Sequence, residues 1–279
     1  VNLIQNKTRK QISKIEQDIN MAGVLLVTGG ARGIGAETCR RAAEKGYAVA
    51  VNYRKDKSAA DRVVGEIINK GGRAFSVQAD VGVEADIISM FNDVTSQLGP
   101  MTALVNSAGV GGTQNRVDKF NAETLELLMQ INVVGTMLCC REAAKRMSTA
   151  NGGQGGSIVN VTSMAATIGG RPGNSAYAAS KAAVDAFSVG FAKEVGAEGI
   201  RVNTVRPGVT LTDMTSAVRD NEDIRKGIES TIAMNRTAQP EEMAAPIMWL
   251  LSDEASFISG ARLDASGGGF LINASTSGK

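Results

Sequence analysis

The sequence predicts one α/β domain built on a doubly wound, parallel sheet of seven strands with helices on both faces. Three observations carry that expectation. Short apolar, β-branched runs alternate with longer helical patterns along the whole chain, the rhythm of βαβ units. The strand-like runs are largely continuous apolar stretches and lack the regular polar alternation of a half-exposed sheet, which argues for a sheet covered on both faces. Finally, no linker divides the 279 residues, a length that suits one large α/β domain.

Taken in order, GVLLVTG is the first strand and precedes a helix over 33–45. YAVAVNY follows, with a helix over 58–70, and then RAFSVQAD, with a helix over 85–97. ALVNSAG is the fourth strand and leads to a helix over 122–147. The second half repeats the pattern with SIVNVTS, a helix from about 175 to 196, and IRVNTVRPG. After a looser stretch, Pro240 starts a helix over 240–251, and a last strand lies near ARLDAS. The domain so defined spans 21–279. Residues 1–20 are rich in Asn, Gln and Lys and lack aromatics, so they read as a flexible N-terminal extension. Its origin stays open between a native extension, read-through upstream of a start at Met21, and a cloning remnant, and a weakly amphipathic helix through Ile4, Ile12, Ile15 and Ile19 is open as well.

Composition removes several kinds of function. With 30 Lys and Arg against 28 Asp and Glu, no charge excess points to nucleic acid or a lipid surface. No apolar run reaches the roughly 20 residues that span a bilayer, and no export signal is evident. Cys39, Cys139 and Cys140 form neither a disulfide framework nor a metal site, which fits a reducing cytoplasm. The absence of histidine takes away the commonest proton-transfer group and the commonest zinc ligand together. Acid/base chemistry must then use Tyr, Lys, Asp, Glu or Cys, and no metal is expected.

The first strand runs into Thr28-Gly29-Gly30-Ala31-Arg32-Gly33-Ile34-Gly35 and then a helix. Such a turn must bend sharply and bring its backbone close to a pyrophosphate, and each demand favours glycine, while the helix N-terminus faces the anion. The spacing G-x-x-x-G-x-G departs from the commoner G-x-G-x-x-G. The second strand ends in Asn52, Tyr53 and Arg54, where an NAD-binding fold places an acid for the ribose 2′-hydroxyl. No carboxylate repels a 2′-phosphate there, and Arg32 with Arg54 can bracket one. NADP is therefore the expected cofactor and NAD the second choice. A charged hydrogen bond to phosphate is worth about 1.5 to 3 kcal/mol, or roughly 10- to 150-fold in preference.

Tyr177 and Lys181 lie in a helical pattern at i and i+4, which puts phenol and ammonium on one face. A neighbouring cation is expected to lower the phenol pKa toward neutrality and make it a proton-transfer group. Residues 208–238, polar and rich in Met and Thr, leave the carboxyl end of a strand and read as a mobile lid that selects substrate. The helix from Ser175 is apolar nearly all round, and so is the one from Leu125, so both need a second covering surface.

Thr28-Gly-x-x-x-Gly-x-Gly, Asn106-Ser107-Ala108-Gly109, Asn132, Ser163, Tyr177-x-x-x-Lys181 and Arg206-Pro207-Gly208 occur in that order. In this the chain resembles a classical short-chain dehydrogenase/reductase over about residues 22–270, closest in kind to 3-oxoacyl-carrier-protein reductase-like and glucose 1-dehydrogenase-like members. The resemblance implies a Rossmann fold and an NADP-dependent exchange of a secondary alcohol with a ketone or aldehyde by hydride transfer. It makes Tyr177 the general acid/base, Lys181 its charged partner and ribose ligand, Ser163 the donor to the substrate oxygen, with Thr162 the lesser choice, and Asn132 the fourth member, holding a water.

For the cofactor it implies contacts from Gly29, Arg32, Gly33, Ile34 and Gly35 in the first turn and from Asn52 and Arg54 after the second strand. Asp80 and Val81 would meet the adenine, and Asn106, Ala108 and Gly109 would line the next turn. Tyr177, Lys181, Pro207, Gly208, Thr210 and Thr212 would border the nicotinamide end. It also implies a homotetramer, a dimer of dimers, with the C-terminal strand at a second interface. The competing reading is a catalytically silent NADP-binding regulatory protein on the same fold, since a fold alone does not fix a function. A third, an S-adenosylmethionine-dependent methyltransferase, needs neither the Tyr-Lys pair nor this glycine spacing.

Overall fold

The computed structural model describes residues 22–269, so the expected extension 1–20 and the last residues 270–279 lie outside the described residues. Seven parallel strands form one sheet in the order β3-β2-β1-β4-β5-β6-β7. They are β1 (Gly23–Thr28), β2 (Tyr47–Tyr53), β3 (Arg73–Gln78), β4 (Ala103–Asn106), β5 (Gly156–Val161), β6 (Ile200–Pro207) and β7 (Arg262–Ala265). The principal helices are α1 (Gly33–Glu44), α2 (Lys57–Asn69), α3 (Glu84–Leu98), α4 (Ala122–Met129) and α5 (Thr136–Met147). A single turn α6 (Ala165–Ile168) and the long α7 (Ser175–Val195) follow, then α8 (Ser216–Asp220), α9 (Glu222–Glu229) and α10 (Pro240–Leu251).

The continuous apolar strands are explained by two cores, one on each face. Along β1, Leu25 and Val27 pack with α1, α2 and α10 through Cys39, Val63 and Leu250. Val24 and Leu26 point the other way, into a cluster with Phe91 of α3, Cys140 of α5 and Phe191 of α7. Successive side chains of a strand face opposite sides, so an element buried twice is mostly apolar, and its few polar residues, such as Asn160 and Asn203, are hydrogen-bonded inside the fold. The strand order reverses at β1, between β2 and β4, the point beyond whose carboxyl ends open α/β sheets bind their ligands.

Two segments differ from the sequence reading. The helix expected over 122–147 is broken: α4 and α5 are joined by a π-helical turn, Gln130–Gly135. At Gly135 a Cβ would lie 2.4 Å from the Val81 carbonyl oxygen, so glycine lets this turn approach the segment that follows β3. The looser stretch 208–238 also holds two short helices that its sequence did not announce. Its helices α8 and α9 enclose Val218, Ile228 and Ile232, against which Val209 and Leu211 pack. Helices of 5 and 8 residues are too short to show a helical period in sequence. A bridge between Thr210 and Ala238 closes the base of the segment.

Candidate active site

The turn after β1 is built for close backbone approach. Gly29 has φ +65°, and a Cβ there would lie 2.9 Å from Cα of Ala108 in the turn after β4. A Cβ on Gly35 would lie 2.3 Å from the Gly29 carbonyl oxygen, so α1 starts hard against its own turn. The Thr28 hydroxyl accepts from the Ser107 and Ala108 amides, each at 3.2 Å, and locks the two turns together. No side chain caps α1 and its first turn carries no acid, so its free N–H groups, with Gly33 and Ile34 at the opening, suit an anion. A dinucleotide pyrophosphate therefore fits these residues.

Asn52 lies beneath this turn, accepting from the Gly29 amide at 3.1 Å and donating to the Ala79 carbonyl at 3.1 Å. Its amide is thus occupied in joining β1, β2 and β3. Arg54 is exposed and faces Asp80 at 3.6 Å, while Arg32 faces Asp213 of the 208–238 segment at 3.5 Å. The Asp80 carboxylate also accepts from the Gly82 amide, and Val81 is buried below it. Asp56, the first acid after β2, is occupied in capping α2, accepting from the Ala59 amide. Asn106 turns into the core and donates to Asn160, which donates to Ser188 of α7.

The four expected catalytic side chains come together at the carboxyl ends of β4 and β5. Asn132 enters from the π-helical turn with 1% of its surface exposed. Its Oδ1 accepts from the Val110 amide at 2.9 Å, and its Nδ2 donates to the Val110 carbonyl at 2.9 Å and to Ser180 Oγ at 3.1 Å. Ser180 in turn donates to the Tyr177 carbonyl, so the amide is tied to α7 as well. The Ser180 link was not anticipated, and its signal was its place within Tyr177-Ala-Ala-Ser180-Lys181. Lys181 Nζ lies 5.8 Å from the Tyr177 ring centroid and donates to the Val161 carbonyl at 3.0 Å. A Cβ on Gly109 would be 3.2 Å from Asn132 Oδ1 and 3.4 Å from Lys181 Nζ, so only glycine leaves this space open.

One electrostatic expectation is reversed. Burial pushes the Tyr177 phenol above its ordinary value, and its hydrogen bond with Ser163 opposes this without prevailing. The lysine is instead the group brought toward neutrality: burial lowers it to about 8, with Asp185 pulling the other way. The cation sits beside the ring, shares its proton with a carbonyl and is itself desolvated, so it does not draw the phenol down in the free protein.

Pro207 and Gly208 end β6, where the Gly208 amide donates to the Ala265 carbonyl at 2.8 Å. Thr210 is buried and bonds back to the Gly208 carbonyl, and Thr212 lies against Gly33, where a Cβ would be 3.1 Å from its methyl group. A recess lined by Gly111, Thr113, Phe120, Leu125 and Leu128 opens beside Tyr177. Its flanking segments are bonded to one another, the Asn115 amide to the Gly173 carbonyl and Arg171 to Thr231.

The glycine-rich turn and the seven-stranded parallel sheet are those of a dinucleotide-binding Rossmann fold, and comparison with known proteins agrees. A family model described as enoyl-(acyl carrier protein) reductase matches residues 29–269. The chain is 46% identical over 246 residues to an uncharacterized oxidoreductase, YgfF, of Escherichia coli K12, covering 88% of this chain and 99% of that one. It is 33% identical over 253 residues to the 3-oxoacyl-[acyl-carrier-protein] reductase FabG of Staphylococcus aureus Mu50, covering 91% and 100%. Among solved structures, a short-chain dehydrogenase from Burkholderia cenocepacia J2315 in complex with NADP superposes with a TM-score of 0.82 at 32% identity, covering 89% of this chain and 98% of that one. The chain belongs to the short-chain dehydrogenase/reductase family and is an NAD(P)-dependent oxidoreductase acting on CH–OH groups.

Proposed function

We propose that the protein is an NADP-dependent oxidoreductase that interconverts a secondary alcohol and a ketone or aldehyde, with Tyr177 as general acid/base. The reading is supported by a half-buried Tyr177 phenol that is hydrogen-bonded with Ser163 and has Lys181 Nζ 5.8 Å from its ring centroid. When bound, the dinucleotide supplies or accepts the hydride. The turn residues Gly29, Gly33 and Gly35 would hold its pyrophosphate, and Lys181 its nicotinamide ribose. In reduction, Ser163 donates to the carbonyl oxygen and Tyr177 Oη gives it the proton, while the lysine cation stabilises the phenolate left behind. A phenol held above its ordinary value in the free protein keeps that proton at neutral pH. Asn132 fixes the π-helical turn and, through Ser180, the backbone of Tyr177.

NADP over NAD is supported by Arg32 and Arg54 at the mouth, by the lack of a free acid at the end of β2, and by the NADP of the Burkholderia relative. A homotetramer arranged as a dimer of dimers would cover Leu127 and Val134, which are exposed beside α7. Cytoplasmic location is in keeping with three free buried cysteines, and among the described residues no helix is long and apolar enough to cross a membrane. The silent-regulator alternative is separated by Tyr177→Phe. With NADPH and a panel of ketones, sugars and acyl thioesters, loss of a general acid should lower turnover by about 10² to 10⁴-fold with cofactor affinity nearly unchanged. An unchanged rate in that variant refutes the reading.

A further inference from the structure

Helix α7 carries a third chemical group in line with Tyr177 and Lys181. Asp185 stands one turn beyond the lysine and two beyond the tyrosine, on the same face. Its side chain is buried, and Oδ2 accepts from Arg206 Nε at 2.7 Å. Among the described residues Oδ1 receives no hydrogen bond, so Arg206 engages only one of the two carboxylate oxygens. Arg206 is the last residue of β6 before Pro207, and its Nη1 reaches Asp264 of β7 at 3.3 Å. The pair therefore ties the helix bearing the tyrosine and lysine to the strands that lead into the 208–238 segment.

We propose that Asp185 and Arg206 are positioning residues for Lys181, a buried ion pair whose net field sets how firmly the neighbouring ammonium keeps its proton. The lysine has a neutral hydrogen-bond acceptor, the Val161 carbonyl, and a buried cation beside neutral groups tends to lose its proton. Among the described residues the titratable and polar groups about the pair come from four elements. Tyr177 comes from α7 itself, Asp264 lies across Arg206 on β7, and the π-helical turn offers the uncharged Asn132 amide. From α5, the Cys140 thiol near Asn160 is kept uncharged by burial, which raises it to about 12. Asp185 is thus the anion on the face of α7 that carries the lysine, and its attraction opposes the desolvation of that ammonium. Arg206 takes a share of the anion, so the two partners act on Lys181 with opposite sign.

The catalytic consequence rests on the Tyr177–Lys181 reading above, but the test does not need turnover. The full-length protein is labelled with ¹³C at lysine Cε, and the Lys181 signal is identified as the one absent from Lys181→Arg. In Asp185→Asn the anion is gone and Arg206 remains, so the titration midpoint of Lys181 falls by about 1 pH unit or more. In Arg206→Met the carboxylate is left to the lysine and the midpoint rises. Midpoints that stay put, or move in the same direction in both variants, overturn the proposal. Because an unpaired buried charge can prevent folding, Asp185→Leu/Arg206→Met provides a second arm, since an apolar replacement of a buried pair is often tolerated. It must also titrate below the wild type, and an unchanged midpoint there is equally fatal. In turnover, the alkaline limb of kcat/KM should follow the same shifts, which a merely structural pair would not produce. Undiminished activity in Tyr177→Phe would sink the functional reading and leave the titration result standing, whereas failure of the titration would leave that reading intact.

Discussion

Asn132→Ala asks whether a buried amide organises this site. The substitution removes an acceptor for the Val110 amide and donors to the Val110 carbonyl and Ser180 Oγ. Ser180 keeps its bond to the Tyr177 carbonyl, so the loss falls chiefly on the two backbone groups of Val110. A buried polar group left unsatisfied costs about 1 to 3 kcal/mol. Val110 is only half-buried and water can replace part of this, so a loss of about 2 to 4 kcal/mol is expected. For a chain of this size, each kcal/mol lowers Tm by about 2 to 4 °C, so the variant should melt about 4 to 16 °C lower. Alanine's better helix propensity offsets less than about 0.7 kcal/mol of that. Thermal unfolding followed by circular dichroism reads the shift directly. A helix-interior asparagine facing solvent would change Tm by less than about 2 °C, and that result would refute the argument.

Two further outcomes follow from the charges. Arg54→Ala should weaken NADP by roughly 10- to 150-fold and leave NAD nearly unchanged in fluorescence titrations, and equal weakening of both would remove Arg54 from cofactor choice. Glu142 of α5 is pushed up by burial, but hydrogen bonds from Lys145 at 2.9 Å and Arg146 at 2.7 Å prevail and bring it from 4.5 to about 2. Because the folded value lies below the unfolded one, its contribution is complete above about pH 4.5 and is lost as pH falls through about 2. Glu142→Gln should flatten the acid limb of the stability curve between about pH 5 and 2, whereas an unaltered limb would place the acid-labile group elsewhere.

Much of the architecture was legible because it rests on local periodicity. GVLLVT, YAVAVNY and IRVNTVRP are strands in the structure as in the sequence, since a strand between two helical layers is predominantly apolar and keeps a polar residue, such as Asn52 or Asn203, where it finds hydrogen-bond partners. The residues of the site could be singled out because glycine, tyrosine and lysine carry their chemistry in fixed spacings. Their partners could not be. Nothing local says that the Asn52 amide supports Gly29, that Asn132 sits in a π-helical turn, or that 208–238 folds around Val218, Ile228 and Ile232.

The chain's own pattern determined the layers of the fold, the absence of histidine chemistry and the identity of the candidate proton-transfer pair. Only the tertiary structure decided the electrostatics of that pair. Burial raises the phenol and lowers the ammonium, and the carboxylate that opposes the second effect is held by an arginine 21 residues away on another strand. Spacing along a helix fixes which side chains are neighbours, but the charge each one bears depends on how much water the rest of the fold excludes.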